Sequence, residues 1–243
     1  MKLKELESEL QPLKGFAAPK RELEQYVTSP HLAARMIYTA ATAFDDIEEK
    51  DVLDMGCGCA VLSIASVMMG ASSVLSVDMD PDALAIAREN VASVEMEDEV
   101  SFLHRQIAAS AETATSKEVD LFTPHAPELT EEIEEENEDG EVEKRSRKID
   151  TVVMNPPFGS WNKGIDMVFL ETACEIAHSA VYSLNKSSTR DFIERKAKQF
   201  GFEGEVIAEM RYDLPKTMAF HKKATVDIQV DMWRFVRVSG EPV

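Results

Sequence analysis

Residues 52–60 read Val-Leu-Asp-Met-Gly-Cys-Gly-Cys-Ala, a short apolar run that ends in a glycine-rich turn. The apolar run predicts a buried strand, and the small residues at 62–69 after the turn predict a helix. Glycine lets the backbone approach a ligand closely, because it carries no Cβ atom. This strand, turn and helix indicate the first unit of a Rossmann-like α/β fold.

A second predicted strand, at 73–77, ends in Asp78, about twenty residues after the glycine turn. An acidic residue at this point can accept hydrogen bonds from both ribose hydroxyls of an adenosine cofactor. An N-cap or turn role is the ordinary alternative for Asp78. The sequence Asp80-Pro81-Asp82 then predicts the start of a helix over 83–90.

Asp54, which lies two residues before Gly56, bears on the identity of the cofactor. NAD-binding loops carry a third glycine and hold a pyrophosphate at a helix N-terminus, and that glycine is missing here. The charge of Asp54 would be unfavourable near phosphates, but it suits the amino group or sulfonium of S-adenosylmethionine. The sequence therefore favours S-adenosylmethionine over NAD.

The sequence Asn155-Pro156-Pro157-Phe158 follows an apolar strand predicted at 149–154. Proline fixes φ and has no backbone N–H, so the corner is rigid and offers acceptors. The Asn155 side-chain oxygen and a nearby carbonyl can accept both hydrogens of one –NH2 group, and Phe158 can stack on the ring that carries it. The corner thus suits methylation of an exocyclic amine, and a strand-ending turn is the ordinary alternative.

Several motifs together resemble one family, the eukaryotic methyltransferase-like enzymes that place an N6-methyl group on one adenosine of small-subunit ribosomal RNA. The resemblance covers nearly the whole chain outside an acidic stretch. The motifs are Gln25-Tyr26-x-Thr28, His31-x-Ala33-Ala34-Arg35-Met36, Asp54-Met55-Gly56-Cys57-Gly58-Cys59, Asn155-Pro156-Pro157-Phe158-Gly159, Val181-Tyr182-Ser183-Leu184, Lys186-Ser187-Ser188-Thr189-Arg190, Arg211-Tyr212-Asp213-Leu214-Pro215 and Phe220-His221-Lys222-Lys223.

The fold implied is that of a Rossmann-like class I S-adenosylmethionine-dependent methyltransferase. Predicted strands near 51–54, 73–77, 100–104 and 149–154 alternate with helices, which indicates a mostly parallel α/β sheet. A strand at 180–184 and an antiparallel C-terminal hairpin at 205–213 and 225–236 would complete seven strands.

The motifs and the resemblance give three sets of candidate site residues. The catalytic set is Asn155, Pro156, Pro157 and Phe158. The cofactor-binding set is Gln25, Thr28, Asp54, Gly56, Gly58, Cys59, Val61, Asp78, Gln106 and Ile107. The RNA-binding set is Tyr26, Lys186, Arg190, Lys222 and Lys223.

Some of these roles come from the resemblance alone. It places the loop from Gln25 to Thr28 over the methionine end of the cofactor and near the target base. Gln106 stands where related enzymes usually have Asp or Asn to accept the adenine amine, and Ile107 would offer its backbone N–H and an apolar edge. No metal site is predicted, because Cys57 and Cys59 lack a second Cys or His pair.

The length of 243 residues fits one methyltransferase domain, with an N-terminal helical segment at 1–43 and an acidic insertion at 112–147. The net charge is −19, but residues 128–143 alone hold ten acidic side chains and no Lys or Arg, so the rest of the chain carries −9. Such a run should be disordered. It is either a mimic of RNA that screens nonspecific binding or a tolerated solvated insertion.

Partners and location follow from the resemblance and the composition. The resemblance implies a heterodimer with a small zinc-binding activator subunit that adds a strand to a sheet edge, and a ribosomal RNA substrate. No apolar run reaches the length of a membrane span, and no secretory signal is present. The three cysteines suit a reducing compartment, so the cytoplasm and nucleus, including the nucleolus, are expected.

Two alternative functions share parts of this pattern. Enzymes that methylate the glutamine of release factors have the same corner with Tyr in place of Phe, and that amide also presents an –NH2 group. A catalytically silent methyltransferase fold kept as a binding subunit is the second alternative. Phe158 and the clusters of basic residues at 144–148, 186–198 and 222–223 favour adenine in RNA. The intact Asp54, Asp78 and Asn155 favour an active enzyme.

Overall fold

The fold is described from a computed structural model of the chain. It describes residues 1–108, 119–126, 129, 132–136, 142–146, 148–215 and 225–238, and at 132–136, 142–146, 212–215 and 225–227 it describes the backbone alone.

The strands, in chain order, are β1 (Asp51–Met55), β2 (Ser73–Asp78), β3 (Val100–His104), β4 (Gln106–Ile107), β5 (Leu121–Phe122), β6 (Glu132–Glu136), β7 (Val142–Ser146), β8 (Thr151–Met154), β9 (Ala180–Lys186), β10 (Phe202–Pro215) and β11 (Thr225–Arg237). The central sheet has seven strands in the order β3-β2-β1-β8-β9-β11-β10. β11 runs antiparallel to both of its neighbours, and the other pairings are parallel. The predicted seven-stranded, mostly parallel sheet with an antiparallel C-terminal hairpin is confirmed.

The helices are α1 (Leu3–Leu10), α2 (Pro30–Phe44), α3 (Val61–Met68), α4 (Pro81–Ser93), α5 (Ile165–Ile176) and α6 (Arg190–Gln199), with 3-10 turns at Arg21–Leu23 and Ser187–Thr189. α2 begins where Ser29 Oγ accepts a hydrogen bond from the Leu32 N–H at 3.3 Å and Pro30 occupies the first turn. Among the described residues, no helix is both long and apolar enough to cross a membrane.

Helices cover both faces of the sheet, which is why its central strands are apolar on both sides. Because strand side chains alternate between faces, Val52 and Val153 pack with α1 to α4, whereas Leu53 and Val152 pack with α5 and α6. All five residues of β1 are buried. The strand that carries the glycine turn is therefore fixed in the centre of the core.

The described parts of the acidic stretch differ from the predicted disorder. β6 and β7 form an antiparallel pair of their own, in a register that places Glu134 opposite Lys144 and Ile133 opposite Arg145. Opposite charges at facing positions favour pairing, as for Glu134 and Lys144, whereas Glu135 faces Glu143, which has the same charge. In the rest of the predicted 112–147 insertion, only residues 119–126 and 129 are described.

Candidate active site

A cleft lies at the edge of the sheet where β1, β2 and β8 have their carboxyl ends. Neighbouring parallel strands end at the same edge, so residues distant in sequence meet there, as is usual for ligand sites in open α/β sheets. The cleft contains about 1050 Å³ of atom-free space, including the part open to solvent. Its walls include the predicted residues Gln25, Tyr26, Thr28, Asp54, Gly56, Gly58, Cys59, Val61, Asp78, Gln106, Ile107, Asn155 and Pro157.

The glycine turn after β1 needs the conformations that only glycine adopts readily. Gly56 has φ +70° and Gly58 has φ +53°, both in the left-handed region. A Cβ atom on Gly58 would lie 2.9 Å from the Phe16 ring. The turn is fixed to β2 because the Gly56 N–H donates to the Val77 carbonyl at 2.8 Å. The two glycines of the turn thereby bring backbone to the wall of the cleft.

Asp54 is the buried acid of the cleft. It is 1% exposed, and its Oδ2 accepts a hydrogen bond from Ser63 Oγ at 2.6 Å. Its Oδ1 is buried and has no hydrogen-bond partner among the described residues. Burial raises the pKa of Asp54 to about 7, against the opposing effect of the Ser63 hydrogen bond, and the charge of Asp78 adds to the rise. A cationic amino group in the cleft would give Oδ1 a partner.

Asp78 lies at the end of β2, next to the glycine turn. Its Oδ2 accepts from the Gly58 N–H at 2.8 Å, and its Oδ1 accepts from the Asp80 N–H at 2.9 Å. Burial raises the pKa of this carboxyl, and the backbone hydrogen bonds partly oppose that rise. A carboxylate has about four lone-pair sites, so two remain for ribose hydroxyls. Asp78 and Asp54 together therefore fit S-adenosylmethionine.

The segment 20–28, which we call the strap, crosses one side of the cleft. Gln25 Nε2 donates to Asp80 Oδ2, and Gln25 Oε1 accepts from the Lys20 N–H at 2.7 Å. Burial alone would raise the pKa of Asp80, but hydrogen bonds from Lys20 and Gln25 lower it below its usual value. Gln25 was predicted to bind the cofactor. In the structure its side chain lines the cleft and ties the strap to Asp80.

Thr28, at the other end of the strap, contacts the corner that was predicted to be catalytic. Asn155 Nδ2 donates to Thr28 Oγ1 at 2.9 Å, which orients the amide group. Pro156 is buried, whereas Phe158 is half-buried and has Lys186 Nζ 5.7 Å from its ring centroid. Thr28, predicted as a cofactor residue, therefore also positions the catalytic candidate Asn155.

Glu24 is a site residue that the sequence analysis missed. It has φ +50° and is 8% exposed. Its carboxylate accepts from the Phe158 N–H at 3.0 Å and from the Trp161 N–H at 2.8 Å. Its only sequence signal is its place immediately before Gln25-Tyr26, because its partners are backbone groups more than a hundred residues away.

Gln106 and Ile107 form β4, which pairs with β5 beside the main sheet. The predicted third-strand region at 102–107 is thus divided at Arg105 into β3 and β4. Gln106 is 2% exposed and Ile107 is 4% exposed, and both line the cleft.

The predicted RNA-binding residues do not form one group. Tyr26 lines the cleft, and Lys186 Nζ donates to Ser160 Oγ at 2.7 Å. Arg190 instead binds the fully buried Asp231 through Nε and Nη2, both at 2.7 Å, and also contacts Glu209. Its guanidinium is committed to an internal ion pair, which differs from the predicted phosphate contact. Lys222 and Lys223 lie outside the described residues.

The three cysteines are free and buried, and Cys57 and Cys59 serve as small residues of the glycine turn. Burial, with the charges of Asp78 and Asp80, raises the pKa of Cys59 to about 12. In the part of the chain that the structure describes, no cluster of His, Cys, Asp and Glu could hold a metal ion.

The sheet order and the acidic residues at the ends of β1 and β2 define a Rossmann-like S-adenosylmethionine-dependent methyltransferase. The ribosomal protein L11 methyltransferase family, PrmA, matches residues 28–122. The rRNA N6-adenosine-methyltransferase METTL5 of Danio rerio is 46% identical over 236 residues, which cover 97% of this chain and 99% of that protein. This chain belongs to the METTL5 family of rRNA N6-adenosine methyltransferases.

Two further comparisons agree with this assignment. The rRNA N6-adenosine-methyltransferase Mettl5 of Drosophila melanogaster is 40% identical, with 97% of this chain and 96% of that protein covered. The crystal structure of PH1948 from Pyrococcus horikoshii superposes with a TM-score of 0.77 at 30% identity, and it covers 100% of this chain and 99% of that one. The similarity therefore includes the strap and the corner as well as the common sheet.

Proposed function

We propose that this chain transfers a methyl group from S-adenosylmethionine to N6 of an adenosine in ribosomal RNA, specifically that of the small subunit. The observation that carries the proposal is the Asn155 corner, which the strap holds beside the cleft that contains Asp54 and Asp78. Membership of the METTL5 family supports ribosomal RNA and N6 of adenosine. The choice of the small subunit rests on the motif resemblance.

The cofactor-binding residues divide by the part of the molecule that each would hold. Asp54 would accept a hydrogen bond from the amino group, and Asp78 would accept from the ribose hydroxyls. Gln106 and Ile107 would border the adenine ring. S-adenosylmethionine, when bound, supplies an electrophilic methyl group on a sulfonium.

The corner acts on the nucleophile, which is the less reactive of the two reacting groups. An adenine amine shares its lone pair with the ring and is a poor nucleophile. The Asn155 Oδ1 and the Pro156 carbonyl would accept its two N–H bonds and favour a more tetrahedral nitrogen as positive charge develops. Oriented dipoles aimed at charge that appears only in the transition state lower the barrier. Thr28, by holding Asn155 Nδ2, fixes the direction of that dipole.

The target base must leave its stack to reach this corner. Phe158 would stack on one face of the base, and Tyr26 would contact its other face or its edge. Burial raises the pKa of the Tyr26 hydroxyl, so it stays neutral at physiological pH. The uncharged ring thus offers an apolar surface without adding charge to a cleft that already contains two carboxyl groups.

The test is transfer of labelled methyl from S-adenosylmethionine to total RNA, followed by digestion and mass spectrometry of the nucleosides. Label in N6-methyladenosine of small-subunit RNA, lost in Asn155→Ala, is expected. Gln199→Ala is the control, since this amide is exposed at the end of α6 and does not line the cleft. Label in large-subunit RNA alone would refute the subunit assignment. Label on a protein glutamine, with none in RNA, would refute the substrate class.

We also propose that the chain works as a heterodimer with a small zinc-binding activator subunit, in the cytoplasm or nucleus. β3 is the outermost strand on its side of the described sheet, and Phe102 and Leu103 on it are only half-buried. An edge strand presents backbone groups to which another chain can add a strand. Full activity of a soluble, monomeric preparation of this chain alone would contradict the proposal that the chain works with a partner subunit.

A further inference from the structure

Trp161 is exposed beside the catalytic corner. It is 64% exposed and lies in the loop between the corner and α5. The chain has two tryptophans, and the other, Trp233, is 2% exposed and stacks on Phe235 with ring centroids 5.2 Å apart. A large aromatic ring that is exposed to solvent in the loop after the corner is available for stacking with a ligand.

The backbone that carries Trp161 is held in place, although its ring is exposed. The Trp161 N–H donates to one carboxylate oxygen of Glu24, and the Phe158 N–H donates to the other. Phe158 and Trp161 are therefore fixed to the same buried group. The next residue, Asn162, lines the cleft. The position of Trp161 is thus set relative to the corner that receives the target base.

Two lysines lie in or beside this loop, although the net charge of the chain is −19. Lys186 Nζ donates to Ser160 Oγ at 2.7 Å and lies 5.7 Å from the centroid of the Phe158 ring. Lys163 is exposed two residues after Trp161. Glu24 is 8% exposed, and both of its oxygens already accept backbone hydrogen bonds. Lys163 is the exposed charge within the loop, and Asp166, at the start of α5, is half-buried and interacts electrostatically with Lys186.

We infer that Trp161 is a stacking surface for a nucleobase adjacent to the target adenosine, with Lys186 and Lys163 near the flanking phosphates. This inference rests on the proposed function. Unstacked RNA bases are commonly held on aromatic side chains, with cations along the backbone. Once the target base has turned into the cleft, its neighbour loses a stacking partner at the rim, where Trp161 can replace it.

Steady-state kinetics test this with an rRNA fragment that the wild-type protein methylates. Trp161→Ala should raise KM for the RNA about tenfold, as expected for loss of one base–aromatic stack, with kcat little changed. Trp161→Phe should keep KM near the wild-type value, because a smaller ring still stacks. Phe192→Ala is the control, since Phe192 is an aromatic residue that is 43% exposed on α6 and does not line the cleft.

Fluorescence gives an independent readout of binding. RNA should quench the wild-type emission, whereas in Trp161→Phe only the buried Trp233 remains and quenching should be small. Fragments with an abasic site on the 5′ or the 3′ side of the target adenosine identify the stacked neighbour. One of the two abasic fragments should bind the wild-type protein about tenfold more weakly than the intact fragment does. Trp161→Ala should bind that abasic fragment and the intact fragment equally tightly.

The outcomes separate the inference from the proposed function. Methylation of RNA with an unchanged KM in Trp161→Ala overturns the inference alone. Insensitivity of the wild-type protein to both abasic sites overturns it as well. If Trp161 emission responds to a protein partner and not to RNA, the surface is a protein interface and the inference is wrong. Failure to methylate any RNA overturns the proposed function, and the inference with it.

Discussion

Replacement of Asp54 by Asn separates two effects of this residue: the cost of its buried charge to protein stability, and its contribution to cofactor binding. Burial raises the pKa of Asp54 from an ordinary 3.8 to about 7, which corresponds to about 4 kcal/mol of preference for the neutral form. Asn is a neutral group of the same shape. Asp54→Asn should therefore raise the free energy of unfolding of the cofactor-free protein by about 4 kcal/mol at pH 8.

The sign of the pH dependence follows from the direction of the shift. The folded protein holds this proton more tightly than the unfolded chain does, so the wild-type protein loses stability as pH rises from 3.8 to about 7. At pH 4 Asp54 is neutral in the folded protein and only partly ionised in the unfolded chain, so the two proteins should differ by less than about 1 kcal/mol. Urea unfolding of the cofactor-free proteins at several pH values, at constant ionic strength, measures this difference.

The same substitution should weaken cofactor binding, because Asn offers no charge to the amino group. The expected loss is at least about tenfold for S-adenosylmethionine and S-adenosylhomocysteine, both of which carry that group. Methylthioadenosine lacks the amino acid, so its affinity should not change. Calorimetry at pH 8 measures all three ligands. Asp51→Asn is the control, since Asp51 lies at the opposite end of the same strand.

Two results would refute this reasoning. A difference in stability that does not change between pH 4 and pH 8 would show that Asp54 does not carry a buried charge. Unchanged affinity of Asp54→Asn for S-adenosylhomocysteine would show that the amino group lies elsewhere.

Four further changes have expected outcomes. Asn155→Ala should lower kcat at least about a hundredfold and change the Kd of S-adenosylmethionine by less than threefold, since the corner contacts the acceptor; equal losses in both would contradict that role. Glu24→Gln should lower kcat with little change in Tm, because one of two backbone N–H groups loses its acceptor, and Glu22→Gln on the surface is the control. Arg190→Met should lower the urea midpoint more than Lys198→Met does, because the buried Asp231 then keeps only its hydrogen bond from Ser187, whereas Lys198 belongs to an exposed pair. Deletion of 128–143 should leave turnover and the salt dependence of RNA binding unchanged if the stretch is a tolerated insertion, and stronger RNA binding at low salt would support the RNA mimic.

The features that the sequence predicted well are those set by local pattern. β1, β2 and β3 begin and end within a residue of the predicted positions, because short apolar runs bounded by glycine or acidic residues leave little choice. The glycine turn and the Asn-Pro-Pro-Phe corner were placed at strand ends for the same reason. β10 is longer than predicted, Phe202–Pro215, because its start is held by pairing with β11, where Gly204 leaves space for the Phe235 ring.

The features that the sequence did not predict depend on contacts between distant residues. The two backbone partners of Glu24 lie beyond residue 157, and nothing within the 3-10 turn that precedes it indicates them. Arg190 looked like a surface cation on an amphipathic helix, yet its partner Asp231 is a buried acid on β11. The pairing of β6 with β7 does not follow from the acidic composition of 128–143.

The strap lies outside the main sheet, yet it positions the residues of the catalytic corner. None of its residues belongs to the seven-stranded sheet, yet Thr28 orients Asn155, and Glu24 holds the loop that follows it. A chimaera that kept α1, α2, the sheet and the corner but carried a foreign strap should keep the architecture and lose the alignment of the amide. New acceptor specificities on this fold should therefore arise through exchange of the strap as much as through change in the corner itself.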